Sequence, residues 1–369
     1  MTKSITRRQL LSQWTAGGVA AAGSPWLGTI SRADELTDLY VPDSLDLAVD
    51  RGIDALLRQQ ANDGSIADRA NATAMTSLAI MALACVGTVA GDDSPRGRAL
   101  NQAIEYVLQP RNQTDGYFGR QDGSRMYGHG ITTLMLTETL GMGSSIDQNE
   151  RIHDALDAAI KVILKSQAVS KPKNMQGGWR YTPDARDSDL SVSVWQVMAL
   201  RSAKNDGLDV PAAAIDNAVS YLENSFTSSL DEAGTPRERV NGFAYMPGTF
   251  SPTFTMTAAG LLAMQTCGRY DSPLVSGAAA WLLEHPPRTN DRFFFYGMYY
   301  YAQGMHQVGG EAAETATRLT QELLLRVQTR SGHWVSGDGE ERNFGIAYAT
   351  SLAILSLGVR YHYLPIYQR

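Results

Sequence analysis

The chain has 369 residues, of which 43 % are hydrophobic and 19 % charged, and its formal net charge is −6. That balance supplies a large core and excludes intrinsic disorder; a mildly acidic chain without a Lys/Arg run is not built to bind nucleic acid. Its two cysteines, Cys85 and Cys267, lie in apolar stretches and read as buried thiols, so a cysteine-based zinc site is excluded.

The N-terminus reads as an address. Ser4-Ile-Thr-Arg7-Arg8-Gln9-Leu10-Leu11 is a twin-arginine pattern, followed by a small-residue apolar run from Trp14 to Leu27. Ser31-Arg32-Ala33 offers a small-x-small cleavage site before Asp34. The expectation is a signal segment over 1–33 and an exported or periplasmic mature protein over 34–369. No further run of about 20 apolar residues exists, so the mature chain is not expected to span a membrane, although peripheral contact with one fits this location.

From residue 45 onward two kinds of helical pattern alternate. The first kind is amphipathic: 45–60, then Leu100, Ile104, Val107 and Leu108 at i, i+4, i+7, i+8, then Ile152 to Leu164, 211–226, 272–286 and 311–328. The second kind is apolar nearly all round: Ala72–Val86, Ile131–Leu140, Leu190–Ala203, Thr253–Thr266, Phe295–Met305 and Ile346–Leu357. A helix without a polar face is buried on several sides. Between the two kinds sits a recurring turn. Leu56-x3-Gln60-x3-Gly64-x-Ile66 returns with the same spacing as Leu324-x3-Gln328-x3-Gly332-x-Trp334, and with an insertion as Ile163-x3-Gln167 followed by Gly177-Gly178-Trp179. Looser copies are Asp115-Gly116-Tyr117-Phe118, Asn241-Gly242-Phe243 and the aromatic run from Phe293. Six one-faced helices alternating with six surrounded ones are satisfied by two concentric shells. The predicted fold is therefore all-α, an (α/α)6 toroid of six helix-hairpin repeats, in preference to an open solenoid, whose helical repeats are mostly shorter.

The repeated Leu/Ile-x3-Gln-x3-Gly-x-Trp turn resembles the QW motif of the squalene cyclase and prenyltransferase repeat family, over about 45–369. The resemblance implies the same toroid. It also implies that Gln60, Gln167, Gln328, Trp179 and Trp334 are structural and tie neighbouring repeats together.

Parallel inner helices gather their N-termini at one mouth, so the residues just ahead of them are the candidates for chemistry. Asp187-Ser188-Asp189-Leu190 opens the third inner helix and is similar to the Asp-x-Asp-Asp acid motif of class II terpene cyclases. By that resemblance Asp189 is the proton donor and Asp187 its support, with Leu190 departing from the pattern. Read from the residues alone, the pair is either a carboxyl dyad that retains a proton or a helix cap. His129, in Tyr127-Gly128-His129-Gly130, is read as preceding the second inner helix, where it positions or deprotonates a substrate or is simply hydrogen-bonded in the turn. Glu138 faces either the lumen or the rim. Arg180 and Tyr181 stand ready to pair with the aspartates. Trp195, Tyr245, Phe254 and Tyr348, with Tyr296, Tyr299 and Tyr300 of the run from Phe293, are either a substrate-binding aromatic wall, suited to cations and to sugars, or core. The metal ligands of protein prenyltransferases have no counterpart here, and no cofactor or metal is expected.

Three functions fit. The first is terpenoid-cyclase-like chemistry, proton-initiated cyclisation of an apolar polyisoprenoid such as squalene. The second is a non-catalytic toroid that binds a ligand or a protein. The third is a carbohydrate-active enzyme, which needs two carboxyls about 5–5.5 or 6.5–9.5 Å apart, with Glu138 and Asp189 as the pair to test. The sequence leaves the oligomeric state open.

Overall fold

The computed structural model describes residues 42–248 and 251–361, together with Leu364 and Ile366. The twin-arginine segment lies outside the described residues. Among these residues there are twelve α-helices, no strand, and no helix long and apolar enough to cross a membrane. In chain order they are α1 (Ser44–Leu57), α2 (Ala72–Ala84), α3 (Pro95–Val107), α4 (Arg125–Thr139), α5 (Ile146–Gln167), α6 (Leu190–Asn205), α7 (Ala212–Ser225), α8 (Phe254–Thr266), α9 (Pro273–Glu284), α10 (Phe294–Val308), α11 (Gly310–Val327) and α12 (Ile346–Leu357).

The even-numbered helices form the inner ring. Each packs on the next even-numbered helix, and α12 returns to α2, so the ring is closed. Their composition explains their place: in α2 every residue from Thr73 to Ala84 is buried, and in α12 every residue from Ala347 to Leu357. The odd-numbered helices are amphipathic and bury one stripe; α1 buries Leu45, Val49, Ile53 and Leu56 while Asp50 and Asp54 face solvent. Each outer helix packs on the inner helix before it, and α1 packs on α12. Outer-helix starts carry local caps: Asp43 and Asp46 form a capping box on α1, Ser94 with Pro95 opens α3, and Ser145 opens α5.

The Gln–Gly turn couples one hairpin to the next. Gln60 Nε2 donates to Gly64 O (3.1 Å) and to Ala99 O at the start of α3 (2.8 Å). Gln167 makes the same two bonds to Gly177 O and to Ala214 O of α7 (2.9 Å each). Gln328 repeats them on Gly332 O (2.7 Å) and on Ala48 O of α1 (2.8 Å). One amide thus satisfies its own turn and a carbonyl of the following outer helix. The turn glycine is required twice over. Gly177 sits at φ +92°, and a Cβ there would lie 2.1 Å from Asn217 O of α7. Gly177, not Gly178, is therefore the equivalent of Gly64; Gly178 packs instead against Tyr221 and Ser188. Trp179 Nε1 and Trp334 Nε1 both donate back to the preceding outer helix, to Ile163 O and Leu324 O (2.9 Å each).

One boundary differs from the sequence reading. The second inner helix begins at Arg125, not near Ile131, so His129 lies inside α4 instead of ahead of it. Gly128 and Gly130 suggest a turn but serve close packing: a Cβ on Gly130 would meet Gln196 Nε2 at 2.3 Å and Trp195 Cβ at 2.8 Å, and the helix continues through both.

Replacing Gln167 with Ala leaves Gly177 O and Ala214 O without their donor and is expected to lower the unfolding free energy by about 1–3 kcal/mol. Gly177→Ala combines the strained φ with the collision at Asn217 and is expected to cost more than Gln167→Ala. Urea titrations of the two variants beside wild type check both the loss and the order.

Candidate active site at the inner-helix mouth

All six inner helices present their N-termini at one mouth, and most of the acceptors for their first N–H groups come from the loop of the following repeat. Asp122 accepts from Ala74 N–H of α2 (3.1 Å). Tyr181 O accepts from Met126 N–H of α4 (3.0 Å), and Tyr245 O from Leu190 N–H of α6 (2.9 Å). Glu341 accepts from Phe295 and Tyr296 N–H of α10 (3.3 and 3.0 Å), and Asp68 accepts with both oxygens from Ile346 and Ala347 N–H of α12 (2.9 Å each). Carboxylates placed here complement both the unsatisfied donors and the helix dipoles.

Asp189 belongs to this set but differs from the others. It caps its own helix, α6, accepting at Oδ1 from Val192 N–H (2.9 Å) and Ser191 Oγ–H (2.6 Å), and the residue is fully buried. Asp68 and Glu341 spend both oxygens on backbone N–H groups. Asp189 spends only Oδ1 on the helix; its Oδ2 is paired with the Arg180 guanidinium, with Nε at 3.1 Å. Burial drives the Asp189 carboxyl above the usual aspartate range, against the lowering influence of Ser191, Val192, Arg180 and Tyr245. The result is a buried carboxyl with one oxygen fixed on the helix start and the other paired with Arg180.

Arg180 organises the entrance. Its Nη1 donates to Asp187 (2.8 Å), so one guanidinium holds both aspartates, Asp187 at the rim and Asp189 beneath. The guanidinium also lies over the rings of Tyr181 (4.8 Å) and Tyr245 (5.8 Å), whose hydroxyls are hydrogen-bonded to each other. Tyr127 stacks on Tyr181 with ring centroids 6.0 Å apart and hydrogen-bonds Ser191 Oγ.

Below the entrance the aromatic side chains meet across the ring. Tyr296 of α10 donates to Ser191 O of α6 (2.6 Å). Trp195 stacks on Tyr299 (5.6 Å, 9°) and contacts Tyr296 and Tyr300 (6.2 and 5.7 Å). Tyr348 lies within the fields of Glu341, Tyr296 and Tyr127, and its phenol is held neutral by burial. Phe254 is elsewhere: it packs on Tyr301 (5.4 Å) at the junction of α8 with α10.

The remaining predicted residues are not brought together with Asp189. His129 is fully buried, with Nδ1 facing Phe118 N–H (3.4 Å) and Nε2 facing Ala159 O of α5 (3.1 Å), so its ring bridges to the outer shell. Burial lowers its pKa to about 4. Glu138 lies at the far end of α4, accepting from Ser202 Oγ–H (3.0 Å) and Ile366 N–H (3.4 Å). Ser191 and Ser202, the α6 contacts of Asp189 and Glu138, are separated by roughly 16 Å of helix rise, beyond any glycosidase carboxyl spacing. Sequence reasoning missed Ser191 and Tyr127. The signals were the Asp-x-Ser spacing at a helix start and the presence of Tyr127 two residues before His129. No group of three or more His, Cys, Asp or Glu side chains able to hold a metal occurs among the described residues.

No protein-family model and no curated protein matches the chain. Solved structures do. It is similar to the GH76A α-1,6-mannanase of Salegentibacter sp. HEL1_6 (TM-score 0.58, 9 % identity, covering 85 % of this chain and 98 % of that one). It is also similar to the type II terpene cyclase MstE from Scytonema (0.53, 16 %, 87 % and 98 %) and to a glycosidase solved with glucose (0.57, 11 %, 88 % and 100 %). The fold is that of an α/α toroid. At these identities the likeness extends to architecture and no further.

Two pH effects follow. Unfolded, His129 takes up a proton near 6.5 but in the native state only near 4, so stability is full above about pH 6.5 and falls toward pH 4, by as much as ~3 kcal/mol. His129→Gln is expected to abolish that slope in urea titrations from pH 7 to 4. Asp189 has the opposite sign. Its native pKa lies above the unfolded one, so its contribution is greatest at low pH and declines as pH rises from the ordinary aspartate range through the native value. Asp189→Asn should lack that decline.

Proposed function

We propose that the chain is a terpene-cyclase-like enzyme of the exported compartment that protonates an apolar polyisoprenoid such as squalene. The observation that carries the reading is Asp189, a buried carboxyl fixed through Oδ1 by Ser191 and Val192, with Oδ2 turned away from the helix toward Arg180. An alkene is a weak base, and a carboxyl raised by burial and kept from water is the form able to protonate it. The proton on Oδ2 passes to one alkene carbon, the π pair forms the new C–H bond, and the cation on the neighbouring carbon is taken by the next double bond. Trp195, Tyr296, Tyr300 and Tyr348 form the buried aromatic cluster below the mouth, and aromatic faces attract a cation. Loss of a proton from the last cation to solvent closes the balance. Asp187 and Arg180 hold the acid in place. The structures of MstE with geranylgeranyl dihydroxybenzoate supply a precedent for an isoprenoid in a toroid of this kind.

A second reading has its own support. Asp187 and Asp189 share one guanidinium, Arg180, and glycoside hydrolysis uses a pair of carboxyls. The mannanase is known as an inactive variant with two aspartates replaced by asparagine. Aromatic faces suit cations and sugars alike, so the acid and not the aromatics separates the two readings.

Product analysis by gas chromatography and mass spectrometry is the test, with the mature protein incubated with squalene, with geranylgeranyl diphosphate and with α-1,6-mannan. A cyclic product is expected from an isoprenoid and is expected to fall at least about 100-fold in Asp189→Asn. Sugar release alone would replace the reading with the second. Turnover of none of the three would remove the catalytic reading and leave the toroid as a binding cup.

A further inference from the structure

We propose that Ser191 is the positioning residue of the Asp189 acid and that Tyr127 and Ser191 form the path by which Asp189 recovers its proton. The inference rests on the acid reading above. Ser191 is where three inner helices meet. Its own Oγ–H donates to Asp189 Oδ1 (2.6 Å), the Tyr127 hydroxyl of α4 bonds its Oγ, and the Tyr296 hydroxyl of α10 donates to its carbonyl. The local Asp-x-Ser contact alone would be an ordinary capping feature. The convergence of Tyr127 and Tyr296 from two other helices is not, because neither is needed to cap α6.

The hydrogen bonds are ordered from rim to acid. Tyr127 is half-buried at the mouth, Ser191 is buried beneath it, and Asp189 is fully buried at the end. After Asp189 has given its Oδ2 proton to an alkene, the carboxylate receives the Ser191 Oγ proton at Oδ1. Ser191 takes the Tyr127 hydroxyl proton, and the phenol is reprotonated from solvent. The proton arrives on Oδ1, and a half-turn of the carboxyl about Cβ–Cγ exchanges the two oxygens, so that the protonated one again faces the substrate and the bare one accepts from Ser191 and Val192. The Ser191 and Tyr127 oxygens each lose one O–H and gain one, and no charge remains on the chain. Burial holds the Tyr127 phenol well above its ordinary pKa, which keeps it neutral and a donor between turnovers. Charged and titratable groups facing Asp189 are Arg180, Tyr127, Tyr221, Tyr245 and Tyr296, with Asp187 linked through Arg180. The Tyr181–Tyr245 pair is the other hydroxyl system at the entrance; Tyr245 interacts with Asp189 directly, but no hydrogen bond joins the pair to Ser191 among the described residues.

The test reads the carboxyl itself. The infrared carbonyl band of protonated Asp189 is identified as the band absent in Asp189→Asn. Ser191→Ala, which removes a bond favouring the carboxylate, is expected to raise the titration midpoint of that band by about one pH unit, and Ser191→Thr to restore it. Tyr127→Phe retains the ring against Tyr181. It is expected to leave the midpoint near that of wild type and to slow the band's exchange on transfer into D2O by about tenfold or more. An unchanged midpoint in Ser191→Ala, or wild-type exchange in Tyr127→Phe, overturns the proposal. These readouts need no turnover. If they hold while no substrate reacts, the acid reading falls and the proton path stands; if product forms while they fail, the reverse is true.

Discussion

Six helix N-termini converge on one mouth, and each brings backbone N–H groups that need acceptors, several of them buried. An unpartnered donor there costs about 1–3 kcal/mol, so the loops around the mouth are built to supply acceptors. Most of the supply is staggered: the loop that introduces one inner helix also caps the inner helix before it. Asp122, Glu341 and Asp68 do this with side chains, and Tyr181 and Tyr245 with carbonyls. The same bonds therefore end the helices, fix the loops and hold neighbouring repeats in register.

That requirement also explains why acids collect at the entrance without any of them needing a chemical role. A carboxylate at a helix start is first a cap. What separates Asp189 is the division of labour within one side chain. Oδ1 alone meets the α6 donors, because Tyr245 O already serves Leu190 N–H. Oδ2 is thereby released toward Arg180, and the repeat that follows α6, by contributing a carbonyl as Tyr181 does for α4, frees an oxygen in the one before it. Capping and acid chemistry are not rivals at this residue.

The alternation of one-faced and surrounded helices was legible because hydrophobic period reports burial directly, and the ring follows from it. The Gln–Gly turn was legible as a spacing, though its purpose, one amide shared between two repeats, depends on residues as distant as Gln328 and Ala48. The start of α4 was not legible. Glycine signals a turn when nothing else is known, and only the approach of Trp195 and Gln196 shows that Gly130 is a packing residue. Moving that boundary turned His129 toward the outer shell and put Tyr127 at the mouth. Glu138 sits in an apolar run and reads as lumenal, yet it answers Ser202 at the other end of the ring. Asp189 is legible as a candidate because its signal is local, as are Arg180 and Ser191 beside it; Tyr127, Tyr245 and Tyr296, which reach it or its neighbours, come from other repeats.

The chain meets its own beginning. α12 packs on both α2 and α1, Arg360 pairs with Asp43 (2.7 Å), and Tyr361 donates to Asp46 (2.6 Å). A linear array of helical repeats has terminal units with one neighbour each, and these fray and need special capping sequences. Here every hairpin has two neighbours, so no unit can open without breaking an interface on both sides. The arrangement makes the ring a single cooperative unit despite its repetitive build, and any one hairpin's stability is borrowed from both the repeat before it and the repeat after it.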